Sequence, residues 1–266
     1  MCIMIHTYKI GDKIGEGSFG IVFKGNHLRT LEPVAIKMEY KRPGIIQTLK
    51  NEAKIYQYLG KVDGFPQLKW FGATNEYNYL VTNLLGKSVT DVVTHYKALP
   101  VKNVLLLGIQ IFKRIELLHE HFLLHRDIKP DNFLFGLEKT NKLYLIDFGF
   151  CKRYSYNGRH ILEKKLTNII GSANFVSLNI HNYIEPSRRD DIESCIYILL
   201  YMYLGDLEWF NLPLDTIYTL KKELTKVDDV PLFIKQMLEY SYNLNFEDKP
   251  DYRYLISLLT TEIEHL

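Results

Sequence analysis

Ile14-Gly15-Glu16-Gly17-Ser18-Phe19-Gly20-Ile21-Val22-Phe23 sets three glycines in a GxGxxG pattern and then runs straight into bulky residues. Without a Cβ, Gly15, Gly17 and Gly20 allow a tight turn whose backbone can come close to phosphates. The pattern alone also fits a plain hairpin turn, and dinucleotide-binding folds share it. The residues after Gly20 discriminate. A dinucleotide motif opens a helix, whereas Ile21-Val22-Phe23 is β-branched and aromatic and predicts a strand. The expectation is a β-hairpin that covers phosphates.

Further along, Val34-Ala35-Ile36-Lys37 is a short β-branched run ending on a lysine. An unpaired ammonium on a buried strand is costly, so Lys37 calls for a carboxylate and for phosphate oxygens. Glu52, on the next predicted helix, suits that role. Glu39 is too close and would point the same way as Lys37 along a strand. The plainer reading of Lys37 is an edge lysine reaching solvent.

Two further stretches supply chemistry: His125-Arg126-Asp127 through Asn132, and Asp147-Phe148-Gly149. Asp127 can accept a hydroxyl proton and orient that hydroxyl for in-line attack. Lys129, two residues on, can neutralise a migrating phosphoryl group and favours a Ser/Thr acceptor over Tyr. Asn132 and Asp147 are hard oxygen donors suited to two magnesium ions. His125 and Phe148 read as packing residues that hold these loops. Taken singly, such Asp and Asn residues are ordinarily caps and turns. In this order they make the kit for moving the γ-phosphoryl group of ATP to a protein hydroxyl.

Composition sets the bounds. A chain of 266 residues, 47% hydrophobic, can bury one large domain or two lobes. A net charge of +2 gives no argument for nucleic acid or membrane as the main partner, and no direct nucleic-acid binding is expected. Cys2, Cys151 and Cys195 form no CxxC pair or metal cluster, which fits a reducing intracellular compartment. The longest apolar stretches, 104–112 and 195–204, are too short to span a membrane. With no signal peptide, myristoylation start or terminal Cys, no membrane anchor is expected.

The first part of the chain reads as β-rich. Strands are predicted at 8–14, 21–25 and 34–38, and a hairpin pairs 68–73 with 77–83 around Thr74-Asn75-Glu76. After Pro43-Gly44, a helix is predicted over 47–59, with Ile46, Leu49, Ala53, Tyr56 and Leu59 on one face. Gly86 reads as a hinge; Gly86-Lys87-Ser88 is a turn, because Val81 stands where a P-loop needs its first glycine. The second part is mostly helical, with a buried helix over 101–121 and another over 190–204. Short strands at 133–135 and 143–146 bracket the catalytic stretches. The fold class implied is α+β and bilobal. It has a small β-rich lobe with one main helix (1–85) and a larger helical lobe (86–266), together one domain from about residue 8, with a cleft between.

From about Tyr8 to its end the chain resembles a eukaryotic protein kinase, and more narrowly the casein kinase I family. The narrower likeness rests on Leu84-Leu85-Gly86, on the stretch from His125 to Leu134, and on Ser177-Leu178-Asn179, which stands where most kinases carry Ala-Pro-Glu. The stretches 187–194 and 246–252 match family signatures too. The resemblance implies a protein Ser/Thr kinase using ATP and Mg2+. Ile14, Gly15, Glu16, Gly17, Ser18, Phe19, Gly20, Ile21, Val22, Ala35 and Lys37 would hold the nucleotide, with Leu85 offering backbone groups to adenine. Lys37, Glu52, Asp127 and Lys129 would be catalytic, Asn132 and Asp147 metal ligands, and Asp191 an anchor beneath the catalytic loop. Ser172 aligns with a hydroxyl residue beside the catalytic centre.

The resemblance further implies an intracellular monomer, in cytoplasm, nucleus or both. Its protein substrates would carry Ser or Thr near acidic or phosphorylated positions, and relatives act in processes such as DNA repair. The alternative is a catalytically inactive scaffold on the same fold. Three departures stand out. Thr82 replaces a bulkier gatekeeper, Asn83 replaces an acidic hinge residue, and Asn174 replaces an arginine associated with substrate phosphate. Arg126, Lys152, Lys164 and Lys165 make either a basic patch beside the site or a solvated surface.

Overall fold

The computed structural model describes residues 4–17, 20–41, 47–138 and 141–266; Cys2, Ser18, Phe19, Pro43, Gly44 and Ile46 lie outside the described residues. The chain divides into two compact units. One runs to Gly86 and takes in Leu134–Gly149; the other holds Lys87–Phe133 and Phe150–Leu266.

The first unit is built on a six-stranded antiparallel sheet. Its strands are β1 (Met4–Ile5), β2 (Tyr8–Gly17), β3 (Gly20–His27), β4 (Pro33–Tyr40), β5 (Leu68–Ala73) and β6 (Tyr77–Asn83), in the order β1-β2-β3-β4-β6-β5. The glycine stretch is a hairpin end and does not open a helix. Gly15 faces Val22, Glu16 faces Ile21 and Gly17 faces Gly20 across the ladder. The strands run further than the sequence suggests, because Gly15, Gly17 and Gly20 lie within the pairing and not in a loop between strands. Gly20 also needs to be glycine: its φ is +127°, and a Cβ there would fall 2.1 Å from the Met38 carbonyl oxygen.

Period-two alternation gives the sheet two distinct faces. Val34, Ile36, Tyr79 and Val81 join Ile5 and Tyr8 in a buried cluster, with Ile10, Phe23, Met38, Trp70 and Tyr77 packed on it. The alternate positions on β4 are Ala35, Lys37 and Glu39, whose ladder partners on β6 are Thr82, Leu80 and Asn78. Helix α1 (Leu49–Leu59) buries Leu49, Ala53, Tyr56 and Leu59, the predicted stripe, together with Glu52. Its first turn is capped from the sheet: Glu39 Oε1 accepts from the backbone N–H groups of Thr48 (2.7 Å) and Leu49 (3.1 Å). A carboxylate there satisfies orphan donors and complements the helix dipole.

The second unit is helical. It contains α2 (Val89–Tyr96), α3 (Val101–Glu120), α4 (Leu178–His181), α5 (Arg188–Leu204), α6 (Leu214–Glu223), α7 (Leu232–Tyr242) and α8 (Tyr252–Glu264). Ser88, the last residue of the predicted turn, caps α2 in a reciprocal pair with Asp91. Helix α5 is buried without a break from Asp190 to Met202, as expected of a helix that is apolar nearly all round. It packs against α3 and α7, and α3 packs against α8. Helix α5 starts two residues earlier than the sequence predicts, at Arg188, because Asp190 caps it: its Oδ2 accepts from Ser187 N at 2.7 Å. Among the described residues, no helix is long and apolar enough to cross a membrane. Cys151 and Cys195 are buried, and neither forms a disulfide among the described residues.

Candidate active site

The first unit gathers Lys37, Glu52 and Asp147. Val22, Lys37 and Leu80 lie in one row across three strands, and Ala35 pairs with Thr82 in the next row on the same face. Lys37 Nζ donates to Glu52 Oε2 at 2.8 Å and to Asp147 Oδ1 at 2.9 Å. Burial disfavours the ammonium, but the two carboxylates outweigh it and hold Lys37 above its ordinary pKa, so it is charged at any physiological pH. Burial lifts the Glu52 carboxyl to about 7, with Lys37 opposing the rise and Asp147 adding to it. Two acids compete for one cation, so the group as a whole is poised to accept further positive charge.

Asp147 sits in the left-handed region at φ 65°, an uncommon place for a side-chain-bearing residue. Its neighbours lock the turn. Phe148 is fully buried and meets the Tyr56 ring of α1 edge-on at 5.0 Å, with Phe65 at 5.8 Å. The strand before it is tied down where Leu145 N donates to Gly64 O at 2.9 Å. Phe148 therefore serves as a packing wedge between α1 and the turn that carries Asp147. Of the other nucleotide candidates, Gly15, Gly20, Ile21, Val22, Ala35 and Leu85 are half-buried, whereas Ile14, Glu16 and Gly17 are exposed.

The second unit gathers Asp127, Lys129, Asn132 and Ser172. Lys129 Nζ donates to Asp127 Oδ2 at 2.7 Å and to Ser172 Oγ at 3.2 Å, while Ser172 Oγ donates to Asp127 Oδ1 at 2.8 Å. Both carboxylate oxygens are thus engaged. Asn132 Nδ2 donates to the Asp127 carbonyl at 2.8 Å, fixing which way the amide oxygen faces. The backbone beneath is held by Asp191, at the head of α5. Its Oδ2 accepts from His125 N (2.8 Å) and its Oδ1 from Arg126 N (3.0 Å). His119 Nε2 lies 3.0 Å from Asp191 Oδ2, and its Nδ1 lies 2.6 Å from the Tyr252 hydroxyl. Burial works to raise the Asp191 pKa, but the His119 hydrogen bond and the neighbouring donors keep it below the usual carboxylate range. His119 carries no signal in the sequence, since a buried histidine on an apolar helix reads as core, and Tyr252 is marked only by the resemblance over 246–252.

The segment from Ala173 to Asn179 is latched from the α5–α6 side. Trp209 Nε1 donates to the Asn174 carbonyl at 2.9 Å. Lys221, fully buried, donates to the carbonyls of Val176 (2.7 Å) and Ala173 (3.1 Å), and burial lowers its pKa to about 7 against the opposing charge of Glu193. Asp190 Oδ1 accepts from Ser177 Oγ and Asn179 Nδ2, which explains what the Ser177-Leu178-Asn179 stretch does: it fastens the end of this segment to α5. The sequence marks this stretch only by resemblance.

Asp147 in the first unit and Asn132 in the second each offer an oxygen of the kind a hard divalent cation prefers, and among the described residues no three His, Cys, Asp or Glu side chains cluster. A family model for the protein kinase domain matches residues 8–257. The fold agrees, with its antiparallel sheet in the N-terminal part and its helices mainly beyond Gly86. The chain belongs to the protein kinase domain family, whose α+β fold it adopts and whose members transfer phosphoryl groups from ATP with a divalent metal.

Proposed function

We propose that this protein kinase is a Ser/Thr kinase of the casein kinase I type, acting as a monomer on proteins whose acceptor hydroxyls lie near acidic residues. The observation that carries the reading is Lys129 Nζ bridging Asp127 Oδ2 and Ser172 Oγ. A cation beside the base is placed to meet the charge that builds on a transferring phosphoryl group. The stretches around Ser177, 187–194 and 246–252 support the narrower family.

Bound magnesium–ATP supplies the γ-phosphoryl group and partial neutralisation of its charge. The chain's own residues do the rest. Lys37, kept charged by Glu52 and Asp147, offers an ammonium to phosphate oxygens. Asn132 and Asp147 would hold metal through oxygen. Leu85 would offer its backbone to adenine, and Gly15, Gly17 and Gly20 would let the hairpin backbone approach phosphates. Asp127 takes the acceptor's proton on a carboxylate oxygen, each of which keeps a second lone pair beside its bond to Ser172 or Lys129.

The test is transfer of labelled phosphate from magnesium–ATP to casein. Wild type should label the substrate on Ser and Thr, and Asp127→Asn should not. Equal labelling by the two proteins would overturn the assignment, and absence of labelling by wild type with retained nucleotide binding would favour an inactive scaffold.

A further inference from the structure

Helix α1, which carries Glu52, has no cap of its own. Thr48, just before its first turn, stands at φ −86°, ψ −28°, and its side chain caps no backbone N–H group. The first N–H groups of a helix need acceptors, and here they find them on another element. Glu39, buried on β4, accepts at Oε1 from Thr48 N (2.7 Å), Thr48 Oγ1 (3.1 Å) and Leu49 N (3.1 Å). Its Oε2 accepts at 2.9 Å from Nδ2 of Asn78, its ladder partner on β6. The same amide donates to Gln47 Oε1 at 3.1 Å. The sheet supplies the cap and also fixes the carboxylate that makes it.

Strand and helix meet a second time at Lys37 and Glu52, 2.8 Å apart. Along β4 the two contacts lie two residues apart, about 6.7 Å on a strand. Along α1 they lie four residues apart, from Thr48 to Glu52, about 6 Å on a helix. The spans match, so both ties form side by side. Glu52 N also donates to Thr48 O at 3.0 Å. Bonds therefore close a ring from Glu39 to Thr48, Glu52 and Lys37, and back to Glu39 along the strand. A slip of α1 by one turn, about 5.4 Å, would break that ring at both contacts. The Tyr56–Phe148 ring contact at 5.0 Å lies a turn beyond Glu52 and leaves the helix start to Glu39.

We propose that Glu39 is a positioning residue for phosphoryl transfer that acts through Glu52: it sets the place of α1 along β4 at which Glu52 meets Lys37. The proposal rests on the Ser/Thr kinase reading for its casein assay, and its exchange measurement stands apart from that reading.

The experiment compares wild type, Glu39→Gln, Glu52→Gln and the double variant, with kcat/KM for ATP measured on casein at a temperature where all stay folded. Glu39→Gln should lose about 5- to 10-fold and Glu52→Gln about 10-fold. The double variant should fall no more than about twofold below Glu52→Gln, because Glu39 then has no carboxylate left to place. Losses that multiply, or full activity in Glu39→Gln, overturn the proposal. Adding Thr48→Asp to Glu39→Gln supplies an acceptor at the helix start without a tie to β4. In that variant kcat/KM should stay low even where the melting temperature recovers. A recovered kcat/KM would show that Glu39 does no more than stabilise the helix, and it sinks the proposal. Should Glu39→Gln fail to fold, Glu39→Asp takes its place in the same cycle: it keeps the charge but is one methylene short of the helix. A loss in Glu39→Asp that disappears in the Glu52→Gln background supports the proposal, and one that persists there overturns it. Should wild type leave casein unlabelled, amide exchange over residues 48–59 decides whether Glu39 places α1. Exchange about 10-fold faster in Glu39→Gln supports the placement, and exchange equal to wild type refutes it.

Discussion

Lys37 and Glu52 form a 2.8 Å ion pair that joins the middle of the sheet to the first turn of α1. Glu39, two residues further along the same strand and on the same face, holds the N-terminus of that helix through Thr48 N and Leu49 N. Strand and helix are thus tied at two neighbouring points by groups of opposite sign. The arrangement assigns the two glutamates distinct work: Glu52 tunes the lysine, and Glu39 places the helix that carries Glu52.

Lys37→Met should lower kcat/KM for ATP by at least about 100-fold, because no other cation in the first unit's cluster can replace it. Glu52→Gln should cost less, about 10-fold, since Asp147 still holds Lys37 at 2.9 Å. Steady-state phosphorylation of casein at varied ATP measures both. A Lys37→Met enzyme with wild-type kcat/KM would show that Lys37 does not meet phosphate.

Asp127→Asn should reduce kcat by about 10²–10⁴-fold, the usual worth of a positioned base, and leave nucleotide affinity within about twofold. A fluorescent ATP analogue reports the affinity separately. A parallel fall in affinity would mean that the substitution disturbs the loop and not only the proton transfer.

Asp191→Asn should destabilise the protein by about 2–4 kcal/mol. It weakens acceptors for two buried backbone donors and a buried histidine. Urea denaturation should show a lower midpoint with an unchanged slope. Activity should fall as well, since Asp127 comes directly after the backbone that Asp191 holds. A midpoint equal to wild type would refute the anchoring role.

Stability should fall in mild acid through His181. Burial, and then the Lys221 ammonium, depress its pKa from 6.5 to about 4. Between those values the unfolded chain binds a proton that the folded chain does not. The folded state therefore loses stability as pH drops from about 6.5 to 4, by at most about 3 kcal/mol, with none of that loss above the unfolded value. His181→Gln should flatten this part of the curve when midpoints are measured across pH 4–7. An unchanged slope would place the acid sensitivity elsewhere.

Legibility tracked locality. The hairpin at 68–73 and 77–83 reads directly from β-branched and aromatic runs around a polar turn, and it forms with those bounds. The face of α1 reads from its spacing, and α3 from its long apolar stripe. The glycine stretch is harder: its composition suggests a loop, yet the strands pair through it, because glycine's small size also permits close pairing beside the Met38 carbonyl. Lys37 and Glu52 could be matched from the cost of burying a lone charge. His119 and Glu185 could not, for each looks like ordinary core or surface until its partners arrive from elsewhere in the chain.

By itself, the order of residues determined the hairpin strands, helices α1, α3 and α5 and the protein kinase family, because hydrophobic period, turn residues and motif spacing are all short-range properties. Tertiary packing alone decided which charges meet: Asp147 with Lys37 across 110 positions, Asp191 with His119 across 72, and Lys152 with Glu185. The reason is electrostatic. A buried charge must find its complement wherever folding brings one within a few ångströms, and separation along the chain carries no trace of that distance.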